Sequence, residues 1–120
     1  MENTLLQKKC VPCEGGIPPA SDEEISKLMP QVPGWQVVAS DIHGVEMKTL
    51  QRRFEFEDFR AAMALLRQVE DLAESEGHHP DFCVHYNKVD FTLYTHAIRG
   101  LHENDFILAA KITALTQSHG

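Results

Sequence analysis

Apolar positions change their period several times along this chain. Residues 1–20 show no period. Cys10-Val11-Pro12-Cys13-Glu14-Gly15-Gly16 and Pro18-Pro19 are punctuation, and an extended, proline-stiffened arm on the domain surface is predicted there. Ser21-Asp22-Glu23-Glu24 then opens a short helix, with Ser21 and Glu24 forming a capping box and Ile25, Leu28 and Met29 on the apolar side. Pro30 ends it, Pro33-Gly34 is a turn, and a strand runs from Trp35 to Ala39.

Asp41 to Gly44 reads as a hairpin turn. Val45 to Phe56 reads as a long strand of mixed alternation, broken by Arg52 and Arg53. Glu57-Asp58 starts the main helix, where acids favour the positive helix end. Phe59, Ala62, Met63, Leu66, Val69 and Ala73 follow at steps of three and four, the core face of an amphipathic helix, and Gly77 stands where a C-terminal cap belongs. A strand from Phe82 to Tyr86, a tight turn at Asn87-Lys88 and a returning strand from Val89 to Thr95 come next. Alternation sends Val89, Phe91, Leu93 and Thr95 toward the helices, and Asp90, Thr92, Tyr94 and His96 to the open face. Ala97 to Leu101 is a loop, and Glu103 to Gln117 is the last helix with Leu108, Ile112 and Leu115 inward. The predicted order is α-β-β-α-β-β-α. It makes an α+β fold in which four antiparallel strands carry three helices on one face.

A chain of 120 residues fits an arm (residues 1–20) and a single domain (residues 21–120). A core this small leaves little room for a large internal cavity, so a surface cleft is expected. Eighteen acidic against eleven basic residues argue against a broad nucleic-acid footprint. No apolar run approaches the ~20 residues that span a bilayer, and Met1 to Lys9 does not resemble a signal peptide. A cytoplasmic protein is expected. Three cysteines, Cys10, Cys13 and Cys83, do not suggest a disulfide framework. Cys10 and Cys13 have the spacing of half a zinc site or a redox pair, but no second pair completes four-coordination, and their role stays open.

The candidate chemistry lies between Glu74 and Asp105. Glu74, His78 and His79 join the end of the main helix to the next strand, while His96 extends the last strand. Three readings of these residues stand side by side. Imidazoles ligate zinc, but adjacent histidines diverge and no pair stands at helical i, i+4 spacing, so no metal is expected. Single histidines often just cap helices or cover sheet edges. Three imidazoles with two carboxylates can also supply a donor, an acceptor and an orienting group for metal-free acid–base catalysis near neutral pH.

The spacing Glu74-x-x-x-His78-His79-Pro80, then Tyr86, His96 and Asp105, resembles the signature of the pterin-4a-carbinolamine dehydratases, also called 4a-hydroxytetrahydrobiopterin dehydratases. Tyr86-Asn87-Lys88-Val89, Thr95-His96, Gly100-Leu101 and Asn104-Asp105 are similar too, and the cysteine-bearing arm resembles that of bacterial members. The resemblance covers residues 21 to 115. It implies a four-stranded antiparallel sheet with three helices, assembled as dimers or tetramers. It also implies dehydration of 4a-hydroxytetrahydropterin to quinonoid dihydropterin after an aromatic amino-acid hydroxylase has turned over. The positions that match are His78, His79 and His96, with Glu74 and Asp105 as supporting carboxylates and His79 and Pro80 toward the substrate. No cofactor and no nucleic-acid or membrane partner is implied. Members tied to molybdenum-cofactor metabolism, or acting as dimerisation partners of a transcription factor, are the alternatives.

Arg99 and His102 depart from the family pattern, His102 standing where Thr or Ser caps the helix better. His43 and His85 read as ordinary surface, and Cys83 as a small buried hydrophobe.

Overall fold

The computed structural model describes residues 4–11 and 17–119. Cys13 lies outside them, so the Cys-x-x-Cys reading is not addressed beyond Cys10. The elements are α1 (Asp22–Leu28), β1 (Gln36–Ile42), β2 (Val45–Glu55), α2 (Phe59–Glu76), β3 (Asp81–His85), β4 (Lys88–Leu93) and α3 (Glu103–His119), with short 3-10 turns at Thr4–Gln7, Met29–Gln31 and His96–Ile98. The sheet order is β1-β2-β4-β3, antiparallel throughout. The predicted α+β architecture and element order are therefore found.

Local chemistry sets most of the boundaries. Ser21 and Glu24 close the capping box of α1. Asp58 caps α2 by accepting from the N–H of Ala61, and Gly77 ends it at φ 66°, a left-handed conformation that favours glycine. At the β1–β2 hairpin the carboxylate of Asp41 accepts from the N–H of Gly44. The second hairpin turns one residue earlier than predicted. Tyr86 and Asn87 form its tip, His85 pairs with Lys88, and Asn87 bonds back to Phe56.

Leu50, Phe54, Val89, Phe91 and Leu93 form the sheet's contribution to the core, where Trp35, Phe54 and Phe91 pack ring to ring. Arg52 and Arg53 do not break β2. Arg53 forms a two-pronged bond to Asp90 across the strand pair, and Arg52 lies 4.3 Å over the Phe54 ring. Phe59 is exposed, contrary to its predicted core position. The buried arc of α2 is centred between Leu65 and Leu66, which puts Phe59 on its shoulder. Cys83 is also exposed. It shares the outward side of the edge strand β3 with Asp81 and His85, while Val84 faces the core.

α3 buries more than one stripe. Phe106, Ile107, Leu108, Ala109, Ala110 and Ile112 are all buried. The arm explains part of this. Leu5 is wholly buried and Cys10 nearly so, both within the core cluster. Burying one leucine stabilises by ~1.5–3 kcal/mol, so this part of the arm belongs to the core and is not merely laid along the surface. Among the described residues, no helix is long and apolar enough to cross a membrane.

Candidate active site

The end of α2 and the start of α3 meet at one end of the sheet. His78 follows the Gly77 cap, and its N–H bonds back to the carbonyl of Ala73. Its ring is nearly buried, with Nε2 2.6 Å from Oδ1 of Asp105. Asp105 stands in the first turn of α3 and is wholly buried. Its other oxygen accepts from the Thr95 hydroxyl and from the N–H of His102, each at 2.9 Å. A carboxylate only accepts, so Nε2 of His78 carries the hydrogen and Nδ1 keeps its lone pair. His102 does cap α3 after all, because its Nδ1 accepts from the N–H of Asn104.

His79 points elsewhere, as adjacent residues in extended backbone do. Its Nε2 lies 2.6 Å from Oε2 of Glu74, and both side chains are largely in water. Such an exposed pair orients the imidazole without adding much stability. His96 lies just past β4, in the 3-10 turn His96–Ile98, not in the strand itself. Thr95 bridges Gly100 across that turn and fixes where it begins.

His78, His79 and His96 converge on one open pocket of about 340 Å³, lined also by Val11, Gly77, Tyr94, Thr95 and Asn104. The size falls at the small end of the ~300–1,000 Å³ typical of small-molecule sites. An apolar groove between α2 and β3 adjoins it across His79, and Pro80 and Glu74 line that groove rather than the pocket. Asp105 lines neither, acting from behind His78.

Tyr94 was placed by alternation on the open side with His96, but its hydroxyl partner could not be read from the sequence. It donates to Asp81 at 2.6 Å. That hydrogen bond, with burial second, pushes the phenol up to about 12, so it remains a proton-bearing donor at neutral pH. Val11 carried no signal, and Asn104 was read only as a neighbour of Asp105 in the family-like stretch, since the contact between them joins residues far apart in the chain. Among the described residues, no group of three or more His, Cys, Asp or Glu is arranged to hold a metal ion. The arrangement offers one nearly buried imidazole oriented by a carboxylate, two more accessible imidazoles and a phenol around a single small volume. It can deliver protons to a small polar molecule and remove them from it.

Comparison with known proteins bears on the family and the fold. The family model described as pterin 4 alpha carbinolamine dehydratase matches residues 18–115. A protein of Rubrobacter xylanophilus named "Putative pterin-4-alpha-carbinolamine dehydratase" is 45% identical over 92% of this chain and 97% of its own. One of the same name from Methylococcus capsulatus is 44% identical, covering 93% of each. The crystal structure of a transcriptional coactivator/pterin dehydratase from Brucella melitensis superposes with a TM-score of 0.71 at 32% identity, over 81% of this chain and 97% of that one. A pterin dehydratase-like protein identified as a RuBisCO assembly factor in the alpha-carboxysome shares the fold alone, with a TM-score of 0.56 at 24% identity over 68% and 88%. This chain belongs to the pterin-4-alpha-carbinolamine dehydratase family.

Proposed function

We propose that this protein dehydrates 4a-hydroxytetrahydropterin to quinonoid dihydropterin and water. The observation that carries the reading is the convergence of His78, His79 and His96 on one pocket. In the substrate, the carbon bearing the hydroxyl also bears a ring nitrogen with a hydrogen. Elimination removes the hydrogen from nitrogen, forms the carbon–nitrogen double bond, and releases the hydroxyl as water once it is protonated. One group must take a proton while another gives one, and imidazoles do both near neutral pH.

His78 and His96 form the acid–base pair in this reading. The free Nδ1 of His78 suits the base, because Asp105 occupies Nε2 and stabilises the imidazolium that forms. His96, exposed at the pocket, then protonates the leaving hydroxyl. His79 hydrogen-bonds the pterin ring, with Glu74 steadying it and Pro80 stiffening the backbone beside it. Residues 21–120 are the catalytic domain and residues 1–20 its arm. The physiological setting is cytoplasmic pterin recycling for an aromatic amino-acid hydroxylase, by a homodimer or homotetramer paired through an exposed sheet edge.

Steady-state dehydratase assays on three alanine variants test the roles. His78→Ala and His96→Ala lower kcat by ~10²-fold or more, and His79→Ala acts mainly on KM. Near-wild-type kcat in His96→Ala together with an unchanged KM in His79→Ala contradicts the assignment.

A further inference from the structure

Val11 stands ahead of the stretch matched by the family model, yet it lines the histidine pocket. Its backbone is clamped from both sides. The buried side chain of Asn104 accepts from the N–H of Val11 at 3.0 Å and donates to its carbonyl at 2.7 Å. One residue earlier, the N–H of Cys10 donates to Glu76 at 2.8 Å, and Lys111 holds the other oxygen of Glu76 at 2.7 Å. Asn104 belongs to α3 and Glu76 to α2. The arm is thus fastened to the two elements that carry Asp105 and lead into His78.

Val11 also differs in kind from the other lining residues. The histidines, Tyr94, Thr95 and Asn104 carry polar side chains, those of Thr95 and Asn104 bonded to Asp105 and to the Val11 backbone, and Gly77 has no side chain. Val11 supplies the one wholly aliphatic side chain among the described lining residues. An aliphatic group moves no proton. What it offers a ligand is contact and a size limit, and a size limit works only if the wall does not yield. The Asn104 clamp supplies that rigidity.

We propose that Val11, held by Asn104, is a specificity-determining wall of the pterin pocket that limits the size of the ligand admitted. This rests on the reading of the pocket as a pterin site. The contact is made equally in the ground state and the transition state, so it acts on binding more than on turnover. Apolar pockets discriminate a methylene or two by ~10–200-fold, which sets the expected scale.

Calorimetric binding of 7,8-dihydropterins tests the proposal, because these ligands lack the 4a-hydroxyl and do not react. A 6-methyl and a 6-(dihydroxypropyl) compound are titrated into wild-type protein, Val11→Trp and Val11→Ala. Val11 is exposed, so the variants keep the wild-type melting temperature. Val11→Trp weakens the larger ligand by at least ~10-fold and the smaller one less, while Val11→Ala narrows the gap between them. Wild-type affinities for both ligands in Val11→Trp overturn the proposal and leave the pterin reading standing. Failure of the wild type to bind either compound overturns both.

Discussion

Nε2 of His78 donates a 2.6 Å hydrogen bond to Oδ1 of Asp105, a carboxylate wholly buried in the first turn of α3. The bond fixes the ring, the tautomer and the direction of the free Nδ1 lone pair together. The same carboxylate ties Thr95 and the N–H of His102, so the turn that carries His96 and the helix start are set by one group.

Asp105→Asn therefore separates orientation from shape. The amide is isosteric, but it offers a donor where an acceptor is needed at one or more of its three bonds. Turnover falls on the order of 10²-fold or more, as when a carboxylate no longer holds the catalytic tautomer. Stability falls by about 1–3 kcal/mol from the mismatched buried bonds. Kinetics and thermal melting of the one variant check both, and an unchanged kcat contradicts the role given to Asp105.

Glu76 links the arm to acid stability. Burial pushes its carboxyl up, but hydrogen bonds from Lys111 and from the N–H of Cys10 outweigh burial and hold it below its ordinary value of 4.5. A folded value below the unfolded one stabilises the protein above the unfolded value. That contribution is lost as pH falls through the folded value. Glu76→Gln costs about 1–3 kcal/mol at neutral pH, since it leaves Lys111 poorly paired in a partly buried place. The cost shrinks under acid. Denaturant unfolding at several pH values measures this, and a penalty that does not change with pH contradicts it.

The two described cysteines differ in reactivity. Burial, followed by the nearby Glu76 carboxylate, pushes the Cys10 thiol up to about 12, whereas Cys83 is exposed on the edge strand. Iodoacetamide under native, mildly alkaline conditions labels Cys83 and spares Cys10, as peptide mass spectrometry reads directly. Because the folded value of Cys10 is the raised one, its contribution to stability is lost only as pH climbs from about 9 toward about 12. Rapid native labelling of Cys10 shows instead that the arm is not packed as described.

Local signals were the legible ones. The alternation of β4, the capping box at Ser21 and the cap at Gly77 each depend on a few neighbouring residues, and each was readable. The histidine positions were readable from their spacing. The burial of α3 on several sides was not, because Leu5 covers part of it from the other end of the chain. The exposure of Cys83 depended on which way an edge strand faces. The Asn104 clamp on Val11 joins residues 93 apart in sequence, a pairing that no local pattern announces.

The dehydration of 4a-hydroxytetrahydropterin by the purified protein, with and without a chelator and beside His96→Ala, tests the central claim most directly. The account predicts that wild type accelerates dehydration well beyond the uncatalysed rate, that chelation leaves the rate unchanged, and that His96→Ala loses ~10²-fold or more. No acceleration by the wild type, or activity abolished by the chelator, would contradict it.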